Sequence, residues 1–305
     1  MKTILVPTDF SLDAEKAYVL AGSIAKVYNA EVCLFNISRS HIDDLVGYWG
    51  GTSLLYEPVN MSAIDAMEQE ETKVKLEEVA KRKEFQGVKM NTKMSLSYDG
   101  DIISELLDEL NHKKYGLIVM GTAGDQQEGE SFAELVARNS ITPIITTKST
   151  VESFDPKNFL LCTDFETMNM GFAQRIRSIK EHYSGVLKLL YVNTPKHFMT
   201  TSQIEVSAKK MARKFNLGEY QLFVYNENDV KTGVKEFLRR ETVDMLALST
   251  HGRTGISHYF NGSTTEDLIN ECSVPVYAYN LHEYLKNAAA RGVSNNHAYT
   301  RGFTG

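Results

Sequence analysis

The sequence is poor in cysteine, proline and tryptophan, and it contains no long apolar run. Its 305 residues include three cysteines, six prolines and one tryptophan. Three widely spaced thiols, each in or beside an apolar segment, argue against a disulfide framework or a metal site, so we expect reduced core residues. No segment approaches the roughly 20 apolar residues of a membrane span, and the first residues do not resemble a signal peptide. We therefore expect a cytoplasmic protein with no membrane partner.

An excess of positive charge is also missing. Lysine and arginine number 33 against 39 aspartates and glutamates, which gives a formal net charge of −6. A nucleic-acid-binding surface would require a basic patch, so nucleic acid is not an expected partner. The apolar and charged fractions are those of an ordinary globular protein.

The clearest pattern that is present is an internal repeat of the whole sequence. Three segments return in order: 4–10 (ILVPTDF) as 159–165 (FLLCTDF), 119–124 as 247–252, and 141–145 as 273–277. A repeat of this length indicates two copies of one domain rather than a short-repeat solenoid. We predict a first domain at residues 1–148, a polar linker, a second domain at 157–280 and a C-terminal tail at 281–305.

Apolar strands alternate with amphipathic helices in both copies. This alternation predicts an α/β fold in which each copy forms a mainly parallel, five-stranded sheet with helices on both faces. Ligands of such sheets bind beyond the carboxyl ends of the strands. In the second copy those ends carry Thr163 and Asp164 after the first strand, Val192 at the second and Ser249 at the fourth.

The spacing between equivalent residues shows where the copies differ. Asp9 precedes Asp164 by 155 residues, and Ile37 precedes Val192 by the same number, whereas the matched glycines 124 and 252 are 128 apart. The first copy therefore has about 27 extra residues in its middle, around Trp49. The prolines at 143 and 275 are 132 apart, so the second copy has four extra residues in the loop that follows Gly252.

That loop, at residues 249–264, leads from a strand into a helix. Glycines let the backbone approach a phosphate closely, and the free N–H groups at a helix start favour an anion. Ser263 and Thr264 add hydroxyl donors, Arg253 and His258 add positive charge, and Asp164 can accept from an amine or a ribose hydroxyl. Together these groups describe a site for a nucleotide.

The chain resembles a tandem universal stress protein of the UspA type over about residues 1–280. The resemblance rests on the Thr-Asp strand end and on the spacing Ser249, two residues, Gly252, nine residues, Gly262-Ser263, in which serine replaces the family's first glycine. It implies an adenine nucleotide alpha hydrolase-like fold with Rossmann-type layering. It also implies a role in stress response and ATP, with or without Mg²⁺, as the ligand.

The resemblance assigns roles to individual positions. Asp164 matches the residue at the adenine side, and Val192 matches the residue that contacts adenine through its backbone. In the family the loop binds the ribose and the phosphates, and the matching residues here are Gly252, Gly262, Ser263 and Thr264. In the family the closing strands pair domains, so we expect an intrachain pseudo-dimer of the two copies, and a further homodimer stays open.

The corresponding loop of the first copy has a different chemistry. It places Asp125, Glu128 and Glu130 where a triphosphate would lie, and like charges repel there. Asp9 and Ile37 remain, so an adenine-like pocket without a phosphate site is the expectation for this copy. Its P-loop-like glycine spacing has Glu130 in the place of lysine and is discarded.

Several alternatives remain open at this stage. Asp164 and Ser263 can each be read as a helix N-cap. A slow ATPase would use His251 or His258 as a base, although no clear metal carboxylate accompanies them, so no catalytic residue is assigned. The aromatic segment around Trp49 can bind a different small ligand or simply cover the sheet.

Overall fold

A computed structural model describes residues 2–40, 61–98, 100–122, 131–149, 152–166, 168–250 and 262–281. The aromatic segment around Trp49 and the tail after residue 281 lie outside these ranges. The strands are β1 Thr3–Pro7, β2 Glu31–Arg39, β3 Met90–Ser97, β4 Leu117–Gly121, β5 Ile144–Thr147, β6 Asn158–Cys162, β7 Val186–Asn193, β8 Gln221–Asn226, β9 Met245–Thr250 and β10 Val276–Asn280. The helices are α1 Leu12–Tyr28, α2 Met61–Ala80, α3 Ile102–His112, α4 Phe132–Asn139, α5 Met170–His182, α6 Thr201–Phe215, α7 Val230–Arg240 and α8 Gly262–Glu271.

The chain divides into two compact units that do not coincide with the two sequence copies. The first unit comprises residues 1–120 with 151–153, and the second comprises 121–150 with 154–305. Helix α4 and strand β5 end the first copy in sequence but belong to the second unit. The domain boundaries drawn from the repeat remain a proposal.

The first unit contains a parallel sheet in the order β3-β2-β1-β4. Strand β1 lies beside β2 with Pro7 opposite Phe35, and β2 lies beside β3 with Ile37 opposite Ser95. Parallel neighbours need a crossover connection, which the intervening helices supply. Helix α1 contacts the turn after α2 through the rings of Tyr18 and Phe85, whose centroids are 5.8 Å apart.

The second unit contains the complete parallel sheet of the second copy, in the order β8-β7-β6-β9-β10. Strand β5 extends it by pairing antiparallel with β10, with Ile145 opposite Tyr277. The chain runs outward from β6 to β8 and then returns on the other side of β6 as β9. This reversal of strand order between β6 and β9 is the switch point at which such sheets bind ligands.

Helices cover both faces of this sheet. On one face the α5 ring of Phe172 stacks on Tyr279 with a centroid distance of 5.5 Å. On the other face Phe237 of α7 packs edge-on against Phe223 of β8 at 5.0 Å. The predicted α/β fold with a mostly parallel sheet between helices is confirmed. No helix within the described ranges is long and apolar enough to cross a membrane.

The three cysteines lie in the apolar core, as their sequence context indicates. Cys33, Cys162 and Cys272 are all buried free thiols. Burial disfavours the charged thiolate, so it raises the pKa of Cys33 and of Cys162 above the usual range and that of Cys272 to about 12. These thiols are therefore packing residues with little nucleophilic character.

The start of the second copy is tied down by one carboxylate. Oδ2 of Asp244 accepts hydrogen bonds from the backbone N–H groups of Lys157 and Asn158, both at 2.8 Å, and from the Asn158 amide at 3.0 Å. Burial would raise the pKa of Asp244, but these three donors outweigh it and hold the pKa below its ordinary value. The carboxylate thus anchors the first residue of β6 beside β9.

We predict that Asp244→Ala lowers the free energy of unfolding by about 1–3 kcal/mol at pH 7, because three donors at the start of β6 lose a charged acceptor. The pKa of Asp244 is lower in the folded than in the unfolded protein. Its contribution to the free energy of unfolding is therefore complete above the unfolded pKa near 3.8, and it is lost as the pH falls through the folded pKa. Urea unfolding at pH 7 and pH 3 should therefore show a smaller difference from the natural protein at pH 3.

Asp155→Ala is the matched control for this experiment. Asp155 is exposed and pairs with Lys157 at 2.8 Å, so its removal should cost less than about 1 kcal/mol. An equal loss for both variants, or a loss at Asp244 that does not change with pH, would contradict the anchoring role.

Candidate functional site

A tight turn follows β6 at the switch point of the second copy's sheet. The backbone N–H of Phe165 donates to Oγ1 of Thr163 at 2.9 Å, and the N–H of Glu166 donates to Oδ1 of Asp164 at 2.9 Å. Phe165 has a φ of 66°, in the left-handed region that residues other than glycine rarely adopt. The two side-chain acceptors hold this backbone conformation, and they fix the half-buried Asp164 carboxylate at the edge of the sheet.

The first copy forms the same turn. The N–H of Phe10 donates to Oγ1 of Thr8 at 3.0 Å, the N–H of Ser11 donates to Oδ1 of Asp9 at 3.0 Å, and Phe10 has a φ of 64°. A left-handed non-glycine residue costs roughly 1–2 kcal/mol. The sequence repeat therefore reproduces a strained turn bond by bond.

Neither aspartate caps the helix that follows it, so the reading of Asp164 as an N-cap is wrong. The side chain that caps α5 is Asn169, which accepts from the N–H of Phe172 at 2.8 Å. Helix α1 is capped by Ser11, which accepts from Ala14 at 3.2 Å, and not by Asp9. Each carboxylate bonds the N–H two residues ahead, and this local turn competes with capping.

The surroundings of the two aspartates differ. Asp9 is exposed, whereas Asp164 is half-buried near an aromatic pair in which Phe165 stacks on Tyr191 at 5.1 Å. The Tyr191 hydroxyl donates to the carbonyl of His197 at 2.5 Å. Burial, followed by the charges of Asp164 and Glu166, raises the pKa of Tyr191 to about 12. In the second copy the Asp164 carboxylate thus lies near an aromatic pair.

In the first copy the position of Tyr191 is taken by an amide. The Nδ2 of Asn36 donates to the carbonyl of Thr8 at 2.8 Å, and its Oδ1 accepts from Ser38 at 2.9 Å. The amide ties β2 to the turn but offers no aromatic surface. The two copies therefore have the same backbone turn but different side chains beside it.

Val192 and Ser249 lie on the strands that flank β6. Val192 is fully buried near the end of β7, and Ser249 is 5% exposed in β9, opposite Tyr279 of β10. Ser249 belongs to an extended strand, so serine in place of glycine introduces no backbone strain there. Strand order places Val192, Asp164 and Ser249 along one edge of the sheet, on the neighbouring strand ends β7, β6 and β9.

The end of β7 is fixed by its last residue. Asn193 accepts from the N–H of Met199 at 2.9 Å and donates to Oδ1 of Asn226 at 3.0 Å. These bonds tie the strand end both to the following turn and to β8. The sequence argument did not single out Asn193, and an asparagine that ends a strand is too common a signal to have identified it.

Helix α8 supplies the fourth element of the site. It begins at Gly262, which places Ser263 and Thr264 in its first turn. The first N–H groups of a helix have no partner within it and favour an anion. Gly252 and Arg253, together with His251 and His258, lie outside the described residues.

Thr163 has a structural part in the site. Its Oγ1 accepts the Phe165 N–H and lies 3.6 Å from the sulfur of Met211 on α6, and the residue is buried. In the first copy the equivalent hydroxyl of Thr8 lies 2.6 Å from that of Tyr18. Both threonines hold the turn through their hydroxyl groups, and the role of Thr163 in binding a ligand stays a prediction.

The matching helix start in the first copy is closed by its own side chains. Ser131 stands twelve residues before Pro143, as Ser263 does before Pro275, and it is the N-cap of α4. Ser131 accepts from the N–H of Glu134 at 3.2 Å, while Oε2 of Glu134 accepts from the N–H of Ser131 at 2.8 Å. This capping box puts a buried carboxylate where an anion would otherwise bind.

An asparagine from the second copy completes the closure. Oδ1 of Asn270, on α8, accepts from the hydroxyls of Thr122 and Ser131, both at 2.9 Å, and its Nδ2 donates to Oε1 of Glu134 at 2.5 Å. Sequence reasoning missed this cluster. The Ser-x-x-Glu pattern could have revealed the capping box, but nothing in the sequence points to Asn270.

Comparisons with known proteins identify the family to which the chain belongs. The model of the universal stress protein family matches residues 1–148 and 156–280. Universal stress protein MJ0531 from Methanocaldococcus jannaschii is 32% identical over 151 residues, which cover 48% of this chain and 82% of that protein. The chain belongs to the universal stress protein family and contains two copies of its domain.

Two solved structures resemble the fold over almost its whole length. A universal stress protein from Archaeoglobus fulgidus superposes with a TM-score of 0.66 at 18% identity, over 91% of this chain and 98% of that one. A protein of unknown function from Pseudomonas aeruginosa gives 0.58 at 14% identity, over 95% and 98%. At such identities the likeness concerns the fold alone.

We predict that Asn270→Ala lowers the free energy of unfolding by about 2 kcal/mol, because a buried carboxylate loses a donor and two hydroxyls lose their acceptor. Urea unfolding checks this value. The control is Asn139→Ala on α4, whose exposed amide donates only to the carbonyl of Leu135 at 2.8 Å and should change stability by less than about 0.5 kcal/mol. Equal effects of the two variants would contradict a central role for Asn270.

Proposed function

We propose that this chain is an adenine-nucleotide-binding regulatory protein of the stress response, with ATP held chiefly by the second copy. The observation that carries the proposal is the turn at Thr163–Phe165. It presents a half-buried carboxylate at the switch point of a parallel sheet, between the ends of β7 and β9. Such an acceptor suits the amine of a base or the hydroxyls of a ribose.

The roles of the remaining residues follow from their positions. Val192 offers backbone groups at the base side, and Ser249 leads from β9 toward the loop that contains Gly252 and Arg253. Gly262, Ser263 and Thr264 open α8, where N–H groups and the helix dipole favour phosphates. The ligand of this arrangement is ATP, with or without Mg²⁺.

The loops that lead into the two helix starts support an asymmetry between the copies. Residues 251–261 contain no acidic residue, whereas the corresponding loop of the first copy contains three, at positions 125, 128 and 130. The helix starts themselves are alike in sequence, because Ser263 and Glu266 repeat the Ser-x-x-Glu spacing of the α4 capping box. A triphosphate in the first copy would lie against carboxylates of its own sign, so we propose that this copy, with Asp9 and Ile37 at its strand ends, does not bind ATP tightly.

The closing strands support the proposed association of the two copies within one chain. Strand β5 ends the first copy and β10 ends the second, and they pair antiparallel with Thr146 opposite Val276. The amide of Asn280 donates to the carbonyl of Arg138 at 2.5 Å and so adds α4 to this contact. Pairing covers sheet edges that would otherwise attract another chain. We keep this intrachain pseudo-dimer as a proposal, together with regulation by nucleotide occupancy.

We predict one ATP site per chain in isothermal titration calorimetry. Asp164→Ala should weaken ATP binding by about tenfold or more, because a charge-assisted acceptor is lost. Asp9→Ala is the matched control, since it removes the same turn bond in the first copy, and it should leave the affinity unchanged. Two equivalent sites, or equal effects of the two variants, would contradict the asymmetry.

We also predict that ATP or ADP accompanies the protein through purification. Chromatography of the supernatant after denaturation would identify and quantify the nucleotide. In Gly262→Glu a carboxylate enters the first turn of α8 and repels phosphate, so the released nucleotide should fall to background. A different released ligand, or an unchanged amount from the variant, would overturn the proposed site.

A further inference from the structure

Helix α7 approaches β7 so closely that only a glycine can stand between them. A Cβ atom added at Gly233 would lie 2.4 Å from Cγ1 and 2.8 Å from Cγ2 of Val192. Carbon atoms in contact are normally about 3.5–4.0 Å apart, so an added methyl group requires a displacement on the order of 1 Å. Val192 is fully buried, so its methyl groups are enclosed by the protein.

The helix itself is held too firmly to absorb this displacement. Phe237, one turn after Gly233, is fully buried and lies edge-on between Phe223 at 5.0 Å and Tyr225 at 5.3 Å. At the other end Asp229 caps the helix by accepting from the N–H and the hydroxyl of Thr232, both at 2.8 Å. The displacement would therefore fall on Val192 and on the strand end that contains it.

A second helix braces α7 from outside. Lys231 pairs with Asp267 at 2.9 Å and with Glu271 at 2.8 Å, and both carboxylates belong to α8. Helix α8 is the element whose first turn is the proposed phosphate site. Helix α7 therefore contacts both Val192, which is proposed to bind the base, and α8, which is proposed to bind the phosphates.

The first copy lacks the equivalent contact. Gly233 stands four residues after the capping Asp229, and the residue four after the capping Asp101 of α3 is Glu105. Glu105 accepts from the hydroxyl of Ser95 on β3 at 2.8 Å, and Ile37, the counterpart of Val192, is only half-buried. A glycine that faces this strand end is thus specific to the copy with the proposed ATP site.

We propose that Gly233 is a positioning residue that sets the Val192 backbone at the distance required to bind the adenine base in the second copy. The inference rests on the proposed function. A hydrogen bond from a strand end to a base weakens steeply once its atoms are misplaced. A glycine at this point lets α7 pack directly against the Val192 side chain, so the helix determines the position of the strand end.

The test is ATP affinity, measured by titration calorimetry, in Gly233→Ala and in the double variant Gly233→Ala with Val192→Ala. Gly233→Ala should weaken binding by about tenfold. The double variant removes the methyl groups that the new Cβ would strike but keeps the backbone of residue 192, so its affinity should return to within about threefold of the natural protein.

Gly185→Ala is the control for a purely structural effect. Its Cβ would lie 2.2 Å from Cε2 of Phe159, a steric conflict at least as severe, in the same copy but at the amino ends of β6 and β7. We expect a lower melting temperature and an unchanged ATP affinity. If Gly185→Ala weakens binding as much as Gly233→Ala does, or the double variant binds no better than the single one, the positioning role is overturned.

The outcomes separate this inference from the proposed function. If the natural protein binds no ATP, both fail. If it binds ATP and Gly233→Ala binds equally well, only the positioning role fails. Should Gly233→Ala alone not fold, the double variant decides, because a folded double variant that binds about tenfold more weakly than the natural protein would also overturn the positioning role.

Discussion

The site depends on a pair of hydrogen bonds from backbone N–H groups to the side chains of Thr163 and Asp164. They hold Phe165 in a left-handed conformation that its side chain alone disfavours. The chain can then leave β6 sharply, and the carboxylate stays at the sheet edge instead of joining the next helix. Every role proposed for the neighbouring strand ends assumes that this carboxylate is held in one place.

The two copies have the same turn after the first strand but different side chains around it. Their turns are superposable bond by bond, yet Tyr191 replaces Asn36 beside the turn and Gly233 replaces Glu105 behind the neighbouring strand. The third difference is at the helix start, where Glu134 and Asn270 close α4. Duplication preserved the backbone, which the sheet requires, and left the surroundings free to diverge. One copy has a glycine against its strand end, and the other has side-chain partners for its polar groups.

Much of the fold can be predicted from the sequence because strands and helices carry apolar periodicity. The predicted alternation of strands and helices is observed in both copies, and the repeat gives that pattern twice. The sequence left the role of Asp164 open, because aspartate can accept from the N–H two residues ahead as well as cap a helix, and sequence alone cannot rank the two. Asn270 and Gly233 act through contacts between distant segments. No local pattern distinguishes them from other residues of their type.

The division of the chain between residues 120 and 121 determines where it can be cut into fragments. Strand β5 and helix α4 belong by sequence to the first copy, but they pair with β10 and bond to Asn270. A fragment that ends at the sequence boundary, near residue 148, would carry a bare strand edge and an uncovered helix start into solution. Exposed edges of this kind promote association between chains. A cut between residues 120 and 121 would keep β5 and α4 with the strand and the side chain that they contact.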